Sequence, residues 1–219
     1  MAKRRRHSWY YVQDARKAGF RSYVTAAGQA SLQWNVLHES MGLLFVTLMG
    51  GGFMNQFAAV WSSAPSDRAK RAMLIAALDS RQEMIGPDIS AHDKQKAALI
   101  KYLCGQTNEL ENKRNDIVHA PLANVHHAHP VSGTALPDTL LGNVRAKSLE
   151  GKDLLKEFRH CRDYARILGQ LARDLDFAIS HVRTLPDKPR PPSRDDRKKD
   201  KHPQRPDAKL THRPRSSRG

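Results

Sequence analysis

Apolar residues recur at intervals of three and four along much of the chain, the period that places them on one side of an α-helix. Ala27, Ala30, Trp34, Leu37, Met41, Leu44 and Leu48 form the first such stripe and predict a helix over 22–49. Gly50, Gly51 and Gly52 follow it. Glycine weakens a helix interior and supplies left-handed cap geometry, so the helix is expected to stop there. A short helix is expected over 53–61. Pro65 and Ser66 then read as the N-cap region of another helix, with Asp67 well placed against its dipole and Ala69, Met73 and Ala76 or Ala77 facing inward. That helix should end before Pro87. Ser90 and Asp93 imitate a capping box and open the next one, whose stripe is Leu99, Leu103, Leu110 and Ile117. Pro121 closes it, because the residue before a proline is pushed out of helical geometry.

Residues 121–147 hold prolines, glycines and histidines without periodicity and read as a long loop with no strand required. Beyond it Leu154, Phe158, Cys161, Ala165, Leu168, Ala172, Leu175, Ile179 and Val182 alternate four and three, which predicts a helix over 149–183. No segment sustains the period-two alternation of a strand and no internal repeat is visible. The expected class is all-α, a bundle of four or five helices.

Charge changes the picture at the ends. The chain has 219 residues and a formal net charge of +15. Lys3, Arg4, Arg5 and Arg6 stand in residues 1–7 without an acid, a basic arm. Residues 186–219 hold 12 Lys plus Arg, 5 Asp plus Glu, 7 prolines and no aromatic residue. Such a composition buries too little apolar surface to offset chain entropy, so this tail is expected to lack fixed structure. The helical domain is expected over 8–185, long enough to bury its own core. Arg4, Arg5 and Arg6, with Arg197, Lys198 and Lys199, can neutralise phosphates without sequence preference, or serve only as solubilising tails. No aromatic interleaving offers base stacking, so affinity from them should be steeply salt-dependent.

Two cysteines, Cys104 and Cys161, each inside a helical pattern, argue for a reducing compartment and against a disulfide scaffold or thiolate zinc site. The uncharged run 40–66 is broken by its glycines, Asn55 and Gln56, and 41–49 is too short to span a bilayer. No apolar leader follows the basic N-terminus. The expectation is a cytoplasmic protein with no membrane partner.

Chemistry concentrates at the end of the penultimate long helix, in Lys113, Arg114, Asn115, Asp116, Ile117, Val118 and His119. A histidine can take or give a proton, and an arginine can hold a phosphate bidentately as charge builds on it, which suits RNA cleavage. On a helix Arg114 and His119 point about 140° apart, so one intact helix does not aim both at a single phosphate. Either the last turn frays and re-aims His119, or two helices related by a dyad pool their residues. Asn115 shares a face with His119 and is expected to orient the imidazole, with Asp116 in support. Both residue types are also common in last turns because they complement the helix dipole. His126, His127 and His129, with Asp138 beyond them, form a second cluster; zinc binding is disfavoured there, since adjacent His126 and His127 point apart and no thiolate supports them. His38 and Glu39 are placed to reach the motif across the bundle, or else form a solvated face.

Arg114, Asn115 and His119, with four residues enclosed between the arginine and the histidine, resemble the Arg-X(4 to 6)-His signature of HEPN domains. The organisation over about 22–183 is similar too: a long first helix with Trp34 in its stripe, the motif closing the penultimate helix, then a long final helix. The resemblance implies an all-helical domain acting on RNA as a homodimer, a metal-independent endoribonuclease with Arg114 and His119 as its catalytic pair and no cofactor. It also implies a toxin or defence effector, with an antitoxin protein as a further partner. The alternative from a different class is a non-catalytic helical scaffold that binds nucleic acid or protein through its dimer surface and tails.

Overall fold

The computed structural model describes residues 18–87, 89–119, 122–125, 134–137, 144–181 and 184–193. Its elements in chain order are α1 (Ala18–Leu48), α2 (Met54–Ser63), α3 (Asp67–Ile85), α4 (Ala91–His119), β1 (Leu122–Val125), β2 (Thr134–Pro137), α5 (Val144–Ser148) and α6 (Leu154–His181). The architecture is an all-α bundle. Ser66 caps α3 by accepting from Ala69 N at 3.1 Å, and Ser90 caps α4 by accepting from Asp93 N at 3.1 Å. Glycines close two of the helices: Gly50 and Gly51 follow α1 at φ 96° and 70°, and Gly86 follows α3 at φ 83°, a region that L side chains rarely enter.

The first and last long helices form the centre. α1 makes its largest contact with α6, and the pairs Gln29–Arg162, Ser40–Arg173 and Thr47–Asp176 advance in the same direction, so the two run parallel. Gly169 brings them close: a Cβ there would stand 3.4 Å from Leu37 Cα, ordinary contact with the facing backbone. Side by side in this way they need a long connection, which α2, α3 and α4 supply while covering the remaining apolar face of α1. α3 lies along α1, and α4 runs back antiparallel to both α3 and α6. Ala30, Trp34, Leu37, Met41, Leu44 and Leu48 are all buried, as their stripe required, with Leu103, Leu110, Phe158, Leu168 and Leu175 opposite.

Four expectations change. On α3 the expected Ala77 is buried and Met73 packs partly buried against the core, but Leu74 and Leu78 with Arg71 carry the inward face, because a charged residue on a core position disguises the stripe. The segment read as an unstructured loop holds the antiparallel pair β1–β2, in register Leu122↔Pro137 to Val125↔Thr134, and the short helix α5. Four-residue strands are too short to show alternation. The final helix starts at Leu154, not 149, since Gly151 at φ 73° separates it from α5. Fixed structure also continues past Leu185: Tyr102 donates to Pro189 O at 2.8 Å, and Lys188 Nζ sits 5.5 Å from the Tyr102 ring centre. Arg4, Arg5, Arg6, Arg197, Lys198, Lys199, His126, His127, His129 and Asp138 lie outside the described residues. No described helix is long and apolar enough to cross a membrane.

Candidate functional site

Arg114 lies half-buried on the inward stripe of α4. Leu103, Thr107, Leu110, Arg114 and Ile117 follow one another at four and three, so the guanidinium continues the buried face of α4 rather than pointing to solvent. Its Cζ lies 5.8 Å from the centre of the Trp34 ring, a cation–π distance. One terminal nitrogen donates to Asn115 Oδ1 at 2.9 Å, and the buried Nε has no hydrogen-bond partner among the described residues. No carboxylate among the described residues forms an ion pair with it. A half-buried arginine with its Nε–H uncommitted is poised to take an anion.

The rest of the motif is arranged differently from expectation. α4 stays helical to His119, so no unwound last turn re-aims the imidazole, which is exposed. Asn115 holds the arginine: its carboxamide oxygen is engaged by Arg114, and no hydrogen bond joins it to His119. Asp116 accepts from Ser148 Oγ at 2.8 Å and so ties α4 to α5, a structural task rather than support for the histidine.

A second set of polar groups, behind Trp34, escaped the sequence except for His38. Trp34 Nε1 donates to Asp67 Oδ2 at 2.7 Å. Arg71, 2 % exposed, donates through Nε to Asn108 Oδ1 at 2.6 Å and through a terminal nitrogen to Glu111, closing α3 onto α4. Its other terminal nitrogen is 3.3 Å from His38 Nε2. Because a guanidinium only donates, Nε2 must accept, which puts the imidazole proton on Nδ1, where it is donated to Trp34 O at 3.1 Å. Burial holds the His38 pKa below its ordinary value; Asp67, 3.8 Å away, opposes the shift and Arg71 reinforces it. His38 therefore bridges Arg71 and Trp34 O in one tautomer. The signal for these residues was present: Arg71 stands three and seven before Leu74 and Leu78, and Thr107 and Arg114 fill the gaps in the stripe of α4.

Both cysteines are spectators. Burial raises the Cys104 thiol to about 12 and the Cys161 thiol to about 11, with Arg71 and Arg114 respectively pulling the other way. Among the described residues no group of three or more His, Cys, Asp or Glu is placed to hold a metal ion. No protein-family model, no curated protein and no solved structure matches this chain.

Proposed function

We propose that this chain is a HEPN-like, RNA-directed protein, a metal-independent endoribonuclease whose site is built from Arg114 and His119 in a homodimer. The observation that carries the reading is the setting of Arg114: a half-buried guanidinium on the inward stripe of α4, seated on Trp34 and steadied by Asn115, with a buried Nε–H uncommitted among the described residues. A residue kept only to complement the helix dipole would extend into water. In the reaction His119 takes the proton of a ribose 2′-hydroxyl, the 2′-oxygen attacks the adjacent phosphorus, and the bond from phosphorus to the 5′-oxygen breaks, leaving a 2′,3′-cyclic phosphate. The imidazolium so formed returns that proton to the departing 5′-oxygen. Arg114 holds the non-bridging oxygens as charge gathers on them. A role as toxin or defence effector, with a protein antitoxin, accompanies this reading.

The test is incubation of the purified dimer with mixed RNA in the presence of a chelator. Wild-type protein should cleave, and His119→Ala should slow cleavage about 10²- to 10⁴-fold, the range of general acid–base catalysis. Arg114→Lys should also fail, since a point charge does not reproduce the planar fork. Intact RNA with the wild type would instead favour the scaffold, in which Arg114 serves packing.

A further inference from the structure

A cleft of about 590 Å³ opens between α1, α2 and α3, within the size range of small-ligand sites. Trp34 stands between the cleft and the motif: its ring carries Arg114 on its face while its Nε1–H ends on Asp67, a cleft residue. One wall is apolar and includes Leu43, Val46 and Trp61. Trp61 lies so close to α1 that a Cβ on Gly42 would stand 2.7 Å from its Nε1, so only glycine permits this seat. Trp61 is 6 % exposed, yet its Nε1–H meets no acceptor among the described residues. Glu39, on the same α1 stripe as Leu43 and Val46, and Lys70 of α3 also line the cleft, and neither forms an ion pair among the described residues.

The cleft therefore offers an apolar face, one uncommitted indole donor, one uncommitted carboxylate and one uncommitted ammonium. Its ligand should be flat, carry an acceptor beside a pair of donors, and bear an anion. Single-stranded RNA offers such groups, because an unstacked base can be read on its Watson–Crick edge. Guanine alone among the four bases sets a carbonyl acceptor next to two adjacent N–H donors. Adenine would turn an amino group toward the indole N–H, and uracil has one donor where the carboxylate can accept two.

We infer that this cleft is the base-reading subsite of the RNA site, taking a guanine with its N1–H and N2–H edge on the Glu39 carboxylate, its O6 on Trp61 Nε1–H and its phosphate at Lys70. The assignment rests on the RNA reading above and gives it a substrate preference: a guanosine beside the phosphate held by Arg114.

The experiment uses the full chain and short 2′-O-methylated oligouridines, which cleavage through a 2′-hydroxyl cannot consume, carrying one guanosine, inosine or adenosine. Fluorescence anisotropy should show the guanosine oligomer bound about five- to a hundredfold more tightly than the adenosine one, with inosine between, the span of a bidentate base contact. Glu39→Gln, at an exposed position that leaves the core untouched, should abolish that difference, while Arg114→Ala weakens all three oligomers alike. Equal binding of the three, indifferent to Glu39→Gln but sensitive to Arg114→Ala, would overturn the subsite and leave the RNA reading standing. Guanosine monophosphate bound in a manner dependent on Glu39, with no oligomer bound, would uphold the cleft and overturn the RNA reading. No binding of any of these probes would overturn both.

Discussion

His38 shows how a single side chain translates burial into pH dependence. Its imidazole is enclosed among Trp34, Asp67, Lys70 and Arg71, and desolvation with the two cations outweighs the one carboxylate. Above the ordinary histidine pKa of about 6.5 the folded and unfolded chains both hold it neutral, and its contribution to stability is complete. As the pH falls through that value the unfolded chain binds a proton that the folded one refuses, so stability is lost progressively toward the lower, folded pKa. His38→Gln keeps an acceptor for Arg71 but cannot titrate. The variant should lose less stability than wild type between pH 7.5 and pH 5 in urea unfolding, although it starts lower because the bond to Trp34 O is altered. Parallel pH profiles for the two proteins would show that His38 is not the titrating group.

At the scale of elements, the long helices were legible because their cores are continuous. Six apolar positions of α1 and most of α6 repeat without interruption, and the serine caps and glycine stops lie where backbone chemistry puts them. Legibility failed where a polar residue sits on a core position. Arg71, Thr107 and Arg114 look like breaks in a stripe, and only the facing helices, α4 with Glu111 and Asn108 for Arg71 and α1 with Trp34 for Arg114, show that they face inward. The motif could be found from its residue types; its partners could not, since Asp67 and Trp34 are 33 positions apart and meet only when α3 packs on α1. The tail misled in another way. Composition is a property of a whole window, and within that window Lys188 and Pro189 contact Tyr102. Truncation after Ser193 should therefore leave the melting temperature unchanged. Truncation after Leu185 removes, among its contacts, the Tyr102–Pro189 hydrogen bond and the Lys188–Tyr102 cation–π contact, together about 1–2 kcal/mol, and should lower it by a few degrees. Identical melting of the two truncations would mean that the segment over Tyr102 adds nothing.

At the scale of the whole molecule, the divergence of Arg114 and His119 becomes a statement about assembly. The regularity of α4 through His119 removes the option of a frayed last turn. Arg114 is drawn inward onto Trp34 and His119 is exposed at the helix end, so the two face different surroundings within one chain. A twofold axis beside the end of α4 is the simplest operation that brings an arginine from one copy to a histidine from another, and it does so twice. Val144 of α5, 79 % exposed beside this end, supplies apolar surface such a contact would cover. Arg114→Ala and His119→Ala chains, each inactive alone, should then recover part of the wild-type RNA cleavage when mixed and refolded together. The mixed dimer contains one site with both residues intact, and random pairing places half of the molecules in it. Activity in proportion to heterodimer, measured by differential tagging and size-exclusion chromatography, is the expected result. Full cleavage by wild-type protein that sediments as a monomer would defeat the shared site, because a regular α4 gives one chain no means of aiming both residues at one phosphate.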